Sequence, residues 1–311
     1  MLSRVADTIY WLARYMERTN GILQAIRTNY IASQDEVKEF SWRPILITYS
    51  SLKPDEIDDI EKDTARVLKY MIVDRANPSS AYTYIVQSRE NARSIQDNIT
   101  KEVWQCLNDY YHFFRDADIE KEILHGDPVS AIDSLLKQGL IFTGMVDITM
   151  TRDEGFTYMN IGKFLERALQ TTDMVKMKMG EFSLDSINMV EAPTMRYLLY
   201  SLFGYELYIK TYKGNFSSEN VLQLVVYNSH FPHSILYCLE RIYKYFERLN
   251  AESLQENYDQ LDFLIGRTVN NIKYSNVNAQ NPQMLQAFLH QTRTDIFEIS
   301  SSLSKLYFGN T

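Results

Sequence analysis

The residues best suited to chemistry in this chain are glutamates and arginines that recur in short helical phrases. Ala13-Arg14-Tyr15-Met16-Glu17-Arg18 and Gly162-Lys163-Phe164-Leu165-Glu166-Arg167 share an aromatic residue, an apolar residue, Glu and Arg in that order. A third phrase, Ser88-Arg89-Glu90-Asn91-Ala92-Arg93, lies between them. Clustered guanidinium groups bind a carboxylate or phosphate through paired N–H donors, and a neighbouring carboxylate orients them or moves a proton. The ligand-binding candidates are Arg14, Arg18, Arg89, Arg93, Arg152 and Arg167, and the candidates for a general base or magnesium ligand are Glu17, Glu90 and Glu166. The competing reading is a salt-bridge network that only fixes helix register.

Other chemistries find less to work with. A carboxylate-bridged dimetal centre in a helical bundle needs two Glu-x-x-His pairs. Only Glu122 and His125 match, next to Gly126, and none of the five histidines lies near the repeated phrases. No cofactor is expected in this chain, although magnesium held by carboxylates together with a ligand phosphate stays open. There is no P-loop, nucleophile elbow or Gly-rich dinucleotide turn. Cys106 stands among apolar residues of a helix, the setting of an inert buried thiol.

These groups need helices to position them. Eleven glycines and seven prolines are few for 311 residues of which 45% are hydrophobic, which predicts an all-α multi-helix bundle of ten to twelve helices rather than a turn-rich β fold. The first helix runs from Ser3 to about Ser33, with Val5, Ile9, Leu12, Met16 and Leu23 on one buried stripe and Arg4, Asp7, Trp11, Arg14 and Arg18 on another side. Residues 40–54 read as a connector with one extended turn, 54–76 as one helix, and 79–98 as the helix carrying Arg89, Glu90 and Arg93. Thr100 caps the next helix, Gly126-Asp127-Pro128 ends one helix and starts another to Met150, and Thr151 or Asp153 caps the second Glu-Arg helix, which reaches Gly180. There Tyr158, Ile161, Leu165 and Ala168 repeat the buried stripe. Helices over 193–212, 218–227, 232–249, 254–272 and 282–307 complete a single domain, with a loose subdivision near 180–192.

The balance of 32 basic and 40 acidic residues gives a net charge of −8, so nucleic acid and anionic membranes are not expected partners. Two cysteines without CxxC spacing form no disulfide framework and suit a cytoplasmic location. Charges interrupt the apolar N-terminal stretch, and no segment approaches the roughly 20 apolar residues needed to span a bilayer.

In order along the chain, the opening Met1-Leu2-Ser3-Arg4-Val5-Ala6-Asp7 with Tyr10-Trp11 and the first Glu-Arg phrase, Arg89-Glu90-Asn91-Ala92-Arg93, Trp104 with Asn108, Met150-Thr151-Arg152-Asp153-Glu154, Gly162 with Leu165-Glu166-Arg167-Ala168, and Phe231-Pro232-His233-Ser234 together resemble the alpha-E family of all-helical bacterial proteins. The last phrase departs from the family pattern, which commonly has Arg where His233 stands, so no permanent positive charge is expected there. The resemblance implies a companion of a circularly permuted ATP-grasp ligase, with a part in ATP-dependent amide-bond formation or peptide modification. Such ligases pass through acyl phosphates, so the implied ligand is an acidic peptide or a phosphorylated small molecule. An enzyme that uses its clustered glutamates, and a helical adaptor without a ligand site, are the alternatives.

Overall fold

Side-chain caps and breaks in the periodic pattern divide the chain more finely than composition suggests. In a computed structural model that describes residues 1–35, 41–180, 191–249, 255–277 and 281–309, those residues form fifteen α-helices and no strand. They group into two units, Thr8–Met159 and Asn160–Thr311, the latter together with Met1–Asp7. The division falls inside a helix. The segment 181–190, near which a loose subdivision was expected, lies outside the described residues.

The first unit holds most of α1 (Ser3–Gln34), then α2 (Arg43–Tyr49), α3 (Pro54–Ile60), α4 (Thr64–Leu68), α5 (Ala81–Ser94), α6 (Lys101–Arg115), α7 (Ala117–His125) and α8 (Pro128–Thr149). The connector expected at 40–54 contains α2. Pro44 sits in its first turn, Trp42, Ile45 and Leu46 are buried, and the Trp42 indole N–H donates to Thr64 Oγ1 at 3.1 Å. The single helix expected over 54–76 is three pieces. Asp63 accepts from the Arg66 N–H at 3.1 Å and so starts α4 afresh, and α4 runs into a π-helical turn at Lys69–Val73. Ser80 ends the following loop and caps α5, and Thr100 caps α6. α6 packs between α5 and α8. α1 is joined to α8 by an Arg27–Asp133 ion pair and by a close approach at Gly139, where a Cβ would collide with the Asn20 side chain.

The second unit holds most of α9 (Glu154–Gly180), α10 (Glu191–Ser201), α11 (Tyr205–Tyr212), α12 (Ser218–Leu222), α13 (Ile235–Phe246), α14 (Gln255–Lys273) and α15 (Pro282–Leu303). The helix expected over 193–212 breaks at Phe203, whose φ is +56°, and at Gly204, where a Cβ would meet the Phe231 ring at 2.9 Å. α12 runs into a π turn at Gln223–Tyr227, and α15 into another at Ser304–Phe308.

The two units repeat one plan at a fixed distance along the chain. α4 and α12 begin 154 positions apart, as do their π turns, the capping serines Ser80 and Ser234, and the Asp127-Pro128 and Asn281-Pro282 starts of α8 and α15. Even the loop bonds recur: Ser80 Oγ donates to Asp74 O at 2.7 Å and Ser234 Oγ to Asn228 O at 2.5 Å. The duplicated Glu-Arg phrases are thus the visible part of a duplicated helical motif. As expected, Ile9, Leu12, Met16 and Leu23 of α1 and Tyr158, Ile161, Leu165 and Ala168 of α9 are buried, while Val5, near the exposed start of α1, is only half-buried.

Candidate functional site

In the first unit the third phrase forms a tight ionic cluster on α5. Glu90 bridges two cations one helical turn apart, with Oε1 at 3.0 Å from Arg89 Nη1 and Oε2 at 2.8 Å from Arg93 Nη2. Arg89 is braced further by α6. Its Nε donates to Asn108 Oδ1 at 2.9 Å, and its guanidinium carbon stands 5.5 Å from the Trp104 ring centre and 4.6 Å from that of Tyr111. Trp104, Asn108 and Tyr111 are one turn apart on α6, so they present one face to Arg89. The result is a planar cation whose Nε is fixed and whose face is covered by aromatic rings. The Arg89 side chain is 20% exposed and that of Arg93 is 62% exposed, so both remain open to solvent.

On α1, Arg14 is buried, which its place on the polar side of the helix did not suggest. Its Nη1 donates to the Tyr10 hydroxyl at 3.0 Å, and its guanidinium lies 4.6 Å from the Trp11 ring centre. Arg18 lies 5.2 Å from the Tyr84 ring of α5, on which Tyr15 also stacks at 5.9 Å, so α1 and the helix carrying Arg89 are direct neighbours. Glu17 is buried. Arg152 stands apart at the end of α8, donating to Asp147 O at 2.6 Å, Asp147 Oδ1 at 3.0 Å and Met150 O at 3.1 Å, with its guanidinium over the Phe156 ring.

Glu166 and Arg167 belong to the second unit, where Glu166 is buried. Arg167 Nη1 donates to Pro232 O at 3.3 Å, and Thr171, one turn further along α9, donates to His233 O at 2.9 Å. The second Glu-Arg helix therefore grips the Phe231-Pro232-His233-Ser234 loop, linking two phrases that the sequence leaves 65 positions apart. His233 lies between the rings of Phe203 and Phe231, and burial, with the Arg167 charge beside it, holds its imidazole well below the usual histidine pKa. The ring is thus neutral near pH 7.

Sequence reasoning missed the asymmetry between the units. At the positions of Arg89, Glu90, Arg93, Trp104 and Asn108, the second unit has Tyr243, Lys244, Glu247, Tyr258 and Asp262. Burial, together with the nearby charges of Asp262 and Glu247, raises the pKa of the Tyr243 phenol. The cation-rich version of the motif belongs to the first unit alone. Aligning the two halves 154 positions apart is the signal that finds it. Among the described residues, no three His, Cys, Asp or Glu side chains gather as a metal-binding set, and no helix is long and apolar enough to cross a membrane. Cys106 is buried, and burial raises its thiol pKa to about 11, leaving it a poor nucleophile at neutral pH.

The sequence model of a family described as a predicted alpha-helical domain with a conserved ER motif matches residues 1–308. Uncharacterized proteins of Mycobacterium bovis and of two strains of Mycobacterium tuberculosis are each 24% identical to this chain over 272 residues, covering 77% of it and 29% of their own length. The chain thus spans less than a third of the length of these relatives. No solved structure matches it.

Proposed function

This chain belongs to the Alpha-E family, and from that footing we propose that it is a substrate-binding or accessory component of an ATP-grasp-linked system that forms amide bonds or modifies peptides. Its ligand is an acidic peptide or a phosphorylated small molecule, seated at Arg89 and Arg93. The observation that carries this reading is the bracing of Arg89: Asn108 fixes Nε, two aromatic rings cover its face, and Nη2 takes no protein partner among the described residues. A guanidinium oriented in advance loses less entropy when it captures an oxyanion. Glu90 bridges the two cations and keeps them aligned. Magnesium enters only with a phosphorylated ligand, whose oxygens complete its shell.

Two features support a companion role over a free-standing enzyme. The longer relatives carry this module beside some 70% of additional chain, as an accessory part of a larger machine would be carried. The braced cluster also brings several oriented binding groups together at one place. The ligase partner itself rests on the family resemblance, and co-purification from cells tests it. Ligand binding is tested by calorimetric titration with an oligoglutamate peptide: saturable binding that Arg89→Ala and Arg93→Ala abolish is expected, and no binding, or binding indifferent to both substitutions, refutes it.

A second reading, the helical adaptor, is favoured by Arg167 and Arg152, each of which donates to backbone carbonyls of a loop or helix end. In that case Arg167→Ala unfolds the Phe231–Ser234 loop, and no ligand shifts the melting temperature.

A further inference from the structure

The first unit exposes an apolar face that its own fold does not use. On α8, Lys137, Leu140, Ile141, Gly144, Asp147 and Ile148 follow each other at three- and four-residue steps and share one side of the helix. Leu140 is 64% exposed and Ile148 82% exposed. At the corresponding positions of α15 the second unit has Gln291, Thr294, Asp295, Glu298, Ser301 and Ser302, a polar set of which Asp295 is buried. The apolar stripe is therefore particular to the first unit.

Gly144 is the second observation. A glycine inside a helix destabilises it relative to alanine. Nothing in the chain requires it there, since a Cβ at Gly144 would meet no atom within 4 Å, whereas Gly139, five residues earlier, makes room for Asn20. A missing side chain on an exposed apolar face suits the close approach of another backbone.

The charges say whose backbone that is. Lys137 lies on the N-terminal side of the stripe and Asp147 on its C-terminal side, with Oδ2 of Asp147 unused among the described residues while Oδ1 receives Arg152. An antiparallel second α8, related by a two-fold axis beside Phe142, sets Lys137 of each copy against Asp147 of the other. The same register sets each Leu140 against the gap at the other copy's Gly144. A two-fold interface must be self-complementary in this way. We propose that the protein associates through this face of α8 with a second copy of itself, by antiparallel helix packing with reciprocal Leu140–Gly144 contacts and Lys137–Asp147 ion pairs.

Sedimentation equilibrium of the full chain tests it. The wild type is expected at twice the 36.5 kDa chain mass. Gly144→Leu, which has open space on its own chain, and Lys137→Glu should each weaken association at least about tenfold, with the first keeping the wild-type helical circular-dichroism signal. Lys137→Glu combined with Asp147→Lys should restore the dimer, an outcome that damage to the fold would not produce. A wild type that stays monomeric at about 100 µM, or a dimer that survives Gly144→Leu, overturns the proposal.

Discussion

At the scale of single residues, the candidate site is a matter of how each guanidinium is held. Arg89 is gripped at Nε and covered by rings, while Arg93 has only Glu90. Asn108→Ala therefore should loosen Arg89 without removing its charge, and a drop in oligoglutamate affinity of about tenfold in titration, with the melting temperature nearly unchanged, is the expected result. His233 gives a pH signature with a definite sign. Its folded pKa lies below the ordinary value of 6.5, so below that pH the unfolded chain binds the proton more readily than the folded one. This contribution to stability is present in full above pH 6.5 and is lost as the pH falls toward the depressed folded value. Urea midpoints at pH 7.5 and pH 5.0 should differ less in His233→Gln than in the wild type; equal differences would contradict the assignment. Arg89, Glu90 and Arg93 stood out in the sequence as site candidates, whereas Trp104 and Asn108 stood out only as parts of the family resemblance. The joining of Arg89 to Asn108 was not legible there, because it depends on the angle at which α5 meets α6.

At the scale of elements, the breaks carry most of the new information. Ser80 and Ser234 each cap a helix and also close the loop before it through a second bond, so Ser80→Ala and Ser234→Ala should each cost about 1–2 kcal/mol in chemical denaturation. The approach of α1 to α8 at Gly139 leaves no room for a side chain, and Gly139→Val should destabilise by about 1–3 kcal/mol. Helix existence was legible wherever apolar periodicity met a good cap, as at Thr100, Asp127 and Asp153. The π turns at 69–73 and 223–227 were not, because a π turn changes only which carbonyl each N–H reaches and leaves the composition helical. The short α2 was hidden for a different reason. Seven residues beginning Arg43-Pro44 offer too little periodicity, and burial of Trp42, Ile45 and Leu46 makes the helix.

At the scale of the whole molecule, one helical motif occurs twice, and the two copies carry different residues at matching positions. The first keeps the Arg89–Glu90–Arg93 cluster and an exposed apolar α8; the second has Tyr243 with Asp262 at the matching place and a polar α15. The duplication was legible in the two Glu-Arg phrases, yet its extent was not, since the spacing shifts from 149 to 154 positions and few identities survive outside the phrases. The division between the units was invisible in composition because it passes through α9 without a Gly- or Pro-rich linker. A net charge of −8 argues against general attraction of anions, so recognition of an acidic ligand has to come from a local, oriented cluster. Titration calorimetry of the full chain with an oligoglutamate peptide, wild type against Arg89→Gln with Arg93→Gln, addresses that point most directly. Saturable binding that the double variant loses while it melts as the wild type does is the predicted result; identical heats from the two proteins would contradict it.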